Sequence, residues 1–236
     1  SCDERFIVEV GPGPGLLTNA ILEKKIKKVL AIETDKTFLP ILEELKEKHP
    51  KKFEFIINDA LKVDLDKLIS ENYSVISNLP YNISVPFIIS LLIKEQPVKW
   101  EKLTLTVQKE VADRMMAKIN TKQYGRLSVL TQWRCRIKKI CEIKPSCFIP
   151  PPKVISTVIS IEPKKNILTP SVENFQKIVS HAFGFRRKTL KKSLSKLDID
   201  INKLADFCEI DLSLRAQNLS VDDYINLTIG YEKFLK

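Results

Sequence analysis

Short apolar runs alternate with amphipathic stretches along the first two-thirds of the chain. Residues 6–10, 29–32, 53–57, 73–77 and 103–107 are each rich in aliphatic, β-branched and aromatic side chains, which predicts strands buried on both faces. Between them apolar positions recur at helical spacing, over about 16–23, 37–48, 86–94 and 111–117. Tyr124-Gly125-Arg126 reads as a loop tip before a helix over 127–134. Two later runs, about 135–143 and 156–161, predict an antiparallel pair closing the sheet. Strands alternating with helices imply crossover connections and a mostly parallel sheet.

After Pro163 the pattern changes. A polar stretch ends in Thr169-Pro170-Ser171, a boundary and helix-start signal, and beyond it only helical periodicity remains, over about 172–182, 186–196, 201–208 and 221–235. The expected organisation is an α/β domain over residues 1–165 and a small all-helical domain over 166–236. The 236 residues suffice for both. No apolar run approaches the roughly 20 residues of a membrane span, since the longest is broken by Pro86 and Ser90. No targeting segment is visible, and the five scattered cysteines form no CxxC pair, so free thiols in a reducing cytoplasm and no metal site are the expectation.

The net charge of +10 becomes informative once it is located. Residues 1–100 are nearly balanced, with 14 basic and 15 acidic side chains, whereas residues 101–165 hold 14 against 5. A second concentration, from Lys177 to Lys196, has seven basic residues and no acid. Charge focused in this way suits a phosphate backbone, whose binding releases counterions. A lysine-rich solvated surface is the plainer alternative, and it describes Lys24, Lys25, Lys27 and Lys28 well.

Four strand ends carry the candidate chemistry. In an open parallel sheet ligands bind beyond the carboxyl ends of the strands, near the point where strand order reverses. Gly11, Gly13 and Gly15 follow the first strand in a G-x-G-x-G turn, where glycine lets the backbone approach a ligand. The spacing is not the G-x-G-x-x-G of dinucleotide sites, because Leu16 stands three residues after Gly13. Glu33, ending the second strand, is placed to accept from ribose hydroxyls, a feature common to several cofactor classes. Asp59, before Ala60 and after the third strand, can accept from an adenine amine. Asn78-Leu79-Pro80-Tyr81 ends the fourth strand, about 65 residues beyond the glycine turn.

An exocyclic amine on a base is a poor nucleophile, because its lone pair is delocalised into the ring. Acceptors at Asn78 and at the Leu79 and Pro80 carbonyls would hold its hydrogens and let the nitrogen pyramidalise. Proline removes a competing donor, and Tyr81 would stack on a base turned out of its helix. For the tetrapeptide alone an ordinary strand-to-helix turn is the better reading. With the glycines, Glu33 and Asp59 in register, a pocket that methylates the amine of a base accounts for more.

On these residues the chain resembles the ribosomal RNA adenine N6-dimethyltransferases. Within them it is similar to the small-subunit (KsgA-type) members rather than the macrolide-resistance (Erm-type) ones. The resemblance runs through Glu9-Val-Gly-Pro-Gly-Pro-Gly15, Ala31-Ile-Glu33, Asn58-Asp-Ala-Leu61, Asn78-Leu-Pro-Tyr-Asn-Ile-Ser84 and Val107-Gln-Lys-Glu-Val-Ala-Asp-Arg114. It continues in Tyr124-Gly-Arg-Leu-Ser128, Phe148-Ile-Pro-Pro-Pro-Lys-Val154, Phe185-Arg-Arg-Lys-Thr-Leu190 and Arg215-Ala-Gln-Asn-Leu219. The last two fall in the helical domain and favour the small-subunit type.

The resemblance implies a Rossmann-like class I methyltransferase sheet with a helical C-terminal domain. It implies S-adenosylmethionine as donor, bound by Gly11, Glu33, Asp59 and Asn78 in a pocket shaped by Gly13, Gly15 and Ala60. Two adjacent adenosines in a hairpin loop near the 3′ end of small-subunit (16S) ribosomal RNA are the implied acceptors, each methylated twice. Ribosomal RNA, naked or in a small-subunit precursor, as partner, a monomeric chain and a part in subunit biogenesis go with it. Family members open with a further Gln-Asn-Phe-Leu-type segment whose helix covers the cosubstrate. This chain opens at Ser1, and a shortened chain with altered donor binding is the expectation.

For RNA contact the candidates are Arg114, Arg126, Lys153, Arg186, Arg187 and Lys188. Around Lys153 three prolines hold the backbone extended, which would present its side chain at a rim. A solvated helix start is the alternative for residues 186–188. Other readings are a large-subunit (Erm-type) enzyme, a DNA adenine methyltransferase, whose tetrapeptide usually opens with Asp, and a nicotinamide oxidoreductase, which the glycine spacing disfavours. A non-catalytic RNA-binding assembly factor would keep the basic residues but tolerate damage to the donor pocket, where every visible residue is intact.

Overall fold

The computed structural model describes residues 4–94, 97–165, 170–185 and 187–235. The strands are β1 (Phe6–Val10), β2 (Lys28–Glu33), β3 (Phe53–Ile57), β4 (Tyr73–Asn78), β5 (Trp100–Gln108), β6 (Cys135–Ile143) and β7 (Ser156–Pro163). They form one sheet in the order β3-β2-β1-β4-β5-β7-β6. All pairs from β3 to β5 are parallel, and β7 runs antiparallel to β5. Strands β1 and β2 are buried almost throughout, which is why they read as continuous apolar runs rather than alternating ones.

The helices between the strands are α1 (Leu16–Leu22), α2 (Leu39–Lys48), α3 (Leu65–Leu68), α4 (Tyr81–Leu92), α5 (Lys109–Met115) and α6 (Arg126–Arg134). Helix α2 is entered through a 3₁₀ turn, Lys36–Phe38, capped by Asp35, whose carboxylate accepts from the Thr37 amide at 2.9 Å. Leu42 and Leu45 of α2 then join Ile21 and Leu22 of α1 on Ile7, Val29, Ala31 and Phe53 of the sheet. Burial of this cluster fixes the layer that carries the glycine turn. The predicted helix near 86–94 begins earlier, at Tyr81, and runs through Pro86. Pro86 lies on the exposed side with Asn82, the residue whose carbonyl loses its i+4 donor, so water is available to that carbonyl.

By contact the chain divides into two compact units. One comprises Ser1–Leu91, Glu95–Ala112 and Ile137–Pro163; the other comprises Leu92–Lys94, Asp113–Arg136 and Lys164–Lys236. Residues 166–169, where the sequence suggests a boundary, lie outside the described residues.

The second unit adds α7 (Val172–Gly184), α8 (Leu190–Ser193), α9 (Ile201–Cys208) and α10 (Val221–Phe234) to α6. Trp133 stacks on Phe175 with ring centroids 3.9 Å apart, and Tyr124 and Tyr224 send their hydroxyls to the Leu219 and Ala216 carbonyls. Arg134 is buried, stacks on Trp133, and donates to the Leu92 carbonyl at 2.9 Å and to that of Lys94. This explains why residues 92–94 fold with the helices. The predicted helix over 186–196 contracts to α8. The Leu190 carbonyl keeps its helical bond from the Leu194 amide, whereas the Lys192 carbonyl accepts from the Ser195 hydroxyl at 2.9 Å.

Among the described residues no helix is long and apolar enough to cross a membrane, and no His, Cys, Asp or Glu cluster is placed to hold a metal ion. The described cysteines are free thiols, and burial pushes that of Cys135 up to about 12.

Candidate active site

Strand order reverses between β1 and β4, so the loops after β3, β2, β1 and β4 open along one edge of the sheet. Gly11, Gly13 and Gly15 all take left-handed φ, at +68°, +53° and +77°. A side chain at Gly11 would meet the Pro80 ring at 3.3 Å, and one at Gly15 would meet Leu45 at 2.9 Å. The turn after β1 therefore packs directly against the tetrapeptide after β4. Behind them the Ser77 hydroxyl donates to the Val10 carbonyl at 2.5 Å, tying the two strands at the switch point.

Glu33 is buried at the end of β2, with both carboxylate oxygens engaged. Oε1 accepts from the Thr34 and Asp35 amides at 2.7 and 2.9 Å, and Oε2 accepts from the Gly13 amide at 3.1 Å. A carboxylate offers about four acceptor positions, so Oε2 keeps capacity for a ligand hydroxyl while the backbone sets its direction. Asp59 is half-buried; Oδ1 accepts from the Leu61 amide at 3.0 Å in a local turn, leaving Oδ2 for a further donor. Ala60 beside it is buried, a small residue that leaves room.

Asn78 ends β4 with an exposed side chain that has no hydrogen-bond partner among the described residues. Leu79 is buried, so its side chain belongs to the core and is not a ligand contact. The Pro80 carbonyl already accepts from the Ile83 amide at 3.1 Å, which makes it a weaker acceptor than Asn78. Tyr81 opens α4 half-buried, its hydroxyl 2.7 Å from Ser156 Oγ.

The RNA candidates divide between the units. Lys153 is exposed in the first, in the loop before β7. Arg114 and Arg126 are exposed in the second, and their backbones are linked because Ser128, in the first turn of α6, donates to the Arg114 carbonyl at 2.6 Å. Arg187 and Lys188 are exposed just before α8, and Arg186 lies outside the described residues.

Two site residues escape sequence reasoning. Ser156 lies 75 positions from Tyr81, and no local spacing signals their contact. Glu9 is an acid inside the apolar run of β1, an anomaly visible in sequence whose meaning needs the fold. It is buried, and Thr18 of α1 donates to its Oε2 at 2.7 Å. Burial pushes its carboxyl up to about 7; the Thr18 hydrogen bond opposes this, and the charge of Glu33 adds to it.

A raised carboxyl binds a proton in the folded chain that the unfolded chain has already released. Stability should therefore fall as pH rises from about 4.5 to about 7 and level off above. The window is worth on the order of 3 kcal/mol. Glu9→Gln keeps the acceptor for Thr18 without the charge. It should flatten that slope and be the more stable chain at pH 8, which urea midpoints at pH 5 and pH 8 will measure; an unchanged slope would sink the assignment.

The chain matches the ribosomal RNA adenine dimethylase family over residues 3–233. It is 43% identical over 220 residues to the ribosomal RNA small subunit methyltransferase A of Rhizobium etli strain CIAT 652, covering 92% of this chain and 79% of that protein. To the protein of the same name from Rhodospirillum rubrum it is 39% identical over 226 residues, covering 95% and 77%. A crystal structure of a dimethyladenosine transferase from Plasmodium falciparum has a TM-score of 0.81 at 24% identity, covering 98% of this chain and 91% of that one. The 23S rRNA methyltransferase ErmE has a TM-score of 0.68 at 22% identity, covering 97% and 91%. At those identities the two structures speak for the fold, a Rossmann-like methyltransferase sheet with flanking helices.

Proposed function

The chain belongs to the ribosomal RNA adenine dimethylase family, and we propose that it methylates the N6 amines of two adjacent adenosines in a hairpin loop near the 3′ end of small-subunit ribosomal RNA, with S-adenosylmethionine as donor. The observation that carries this reading is the packing of Pro80 on the Gly11 turn, with the caged Glu33 carboxylate on the adjoining strand end. A donor pocket and an amine-holding pocket are thereby joined at one switch point.

S-adenosylmethionine would supply a methyl group activated on a sulfonium. Three glycines without side chains leave a cradle for it, Glu33 would take the ribose hydroxyls, and Asp59 and Asn78 would take amine donors. For the acceptor, Asn78 and the Leu79 carbonyl would hold the N6 hydrogens while Tyr81 stacks on the ring. Holding both partners in place is where most of the acceleration comes from. The product ammonium can lose its proton to water, so no strong base is required.

Lys153 in the first unit and Arg114, Arg126, Arg186, Arg187 and Lys188 in the second are assigned to RNA phosphates. Such contacts carry no sequence information, so target choice falls to RNA shape and splayed loop bases. Under this reading the first unit, within residues 1–165, is catalytic, and the second, to which residues 166–236 belong, is a helical RNA-binding unit. The physiological partner is then a small-subunit precursor in the cytoplasm, and the activity belongs to subunit biogenesis.

The test is a tritiated methyl donor offered with unmethylated small subunits, large-subunit RNA and DNA, followed by nucleoside analysis. N6,N6-dimethyladenosine from small subunits alone is the expected product. Label in large-subunit RNA or DNA would overturn the target, and label nowhere would overturn the activity.

A further inference from the structure

The contact between Tyr81 and Ser156 has a consequence that the tetrapeptide alone does not contain. Tyr81 is the first residue of α4 and is half-buried. Its hydroxyl lies 2.7 Å from Ser156 Oγ, at normal hydrogen-bond distance for two hydroxyls, with either able to donate. Ser156 is fully buried and opens β7 opposite Gln108 of β5. Beside it the Lys109 amide donates to the Ile155 carbonyl at 2.9 Å, so the strand entry is fastened to the end of β5. The hydroxyl that meets Tyr81 thus belongs to the sheet. A buried serine hydroxyl without a partner is costly, and among the described residues Tyr81 is its partner.

We propose that Ser156 is a positioning residue for methyl transfer, anchoring the Tyr81 hydroxyl so that the aromatic face is set in the sheet's frame before a base arrives. This rests on the functional reading above. Ser156 itself touches no substrate. Its effect reaches the reaction through the orientation of the ring, and ordering the ring in advance spares that cost when the base binds.

The experiment compares the parent, Ser156→Ala, Tyr81→Phe and the double variant. It measures single-turnover methyl transfer to unmethylated small subunits, donor affinity by titration, and thermal midpoints. Each single variant should slow transfer about 5- to 10-fold, the size of one lost hydrogen bond. The double variant should be no slower than either single one, with donor affinity and melting at the parent's values. If Ser156→Ala melts below the assay temperature, Tyr81→Phe decides alone, since it removes the same contact from the other side. Tyr81→Phe strands the Ser156 hydroxyl and should itself melt lower, so rates are compared well below every midpoint. Transfer at the parent's rate in that variant or in Ser156→Ala, additive losses in the double variant, or a loss that tracks donor affinity would overturn the proposal. A parent chain that methylates nothing would instead bring down the functional reading itself.

Discussion

Asn78→Ala should lower kcat/KM for methyl transfer on the order of 10²- to 10³-fold, the usual loss when one preorganised polar group at a reacting centre is removed. The folded chain should be almost unaffected. Asn78 stands exposed at the end of β4 and its amide holds up no other group among the described residues, so truncation leaves no buried partner stranded. Its acceptor matters only when an amine is presented to it, which is the condition for an interaction that favours the transition state over the ground state. Single-turnover transfer together with thermal unfolding will check both halves. Retention of most of the activity, or a matching loss of stability, would remove Asn78 from its assigned role.

Glu33→Ala should raise the dissociation constants of the donor and of its demethylated product about 10- to 100-fold, as expected for hydrogen bonds to a charged acceptor. It should also destabilise the chain, in contrast to Asn78→Ala. The carboxylate accepts from the amides of Gly13, Thr34 and Asp35, and removing it strands donors at a buried position. Loss of the cage also frees the glycine turn from its Glu33 anchor on β2. Calorimetric titration and denaturant melts separate the two effects. Donor affinity at the parent's value would show that the carboxylate serves the loop and not the ligand.

The parts of this site legible from residue order are those set by strand ends. A parallel sheet must open its ligand edge where its strands finish, so Gly11, Glu33, Asp59 and Asn78 could be aligned from the apolar runs that precede them. What stayed hidden depends on distance or on competition. Pro86 masked the start of α4, because a proline six residues into a helix is normally a reason to end it. Beyond the end of α8 the Ser195 hydroxyl bonds the Lys192 carbonyl, a contact that a count of apolar positions cannot register. The Tyr81–Ser156 contact needs β7 to be laid beside β5, a pairing that exists only once the sheet has closed. Glu9 is an acid in a strand, and its raised carboxyl follows from burial and from Glu33, neither of which is local in the chain.

The fit of the Pro80 ring against Gly11 limits how such a centre can be rebuilt. With 3.3 Å between the ring and the place a methyl group would occupy, and with φ at +68°, any side chain at position 11 must push the tetrapeptide outward. The two loops are therefore one heritable part. A chimera that exchanges only the glycine turn, or only residues 78–81, with a related sheet will fold around a misaligned pair of pockets, whereas the two segments moved together carry their alignment with them.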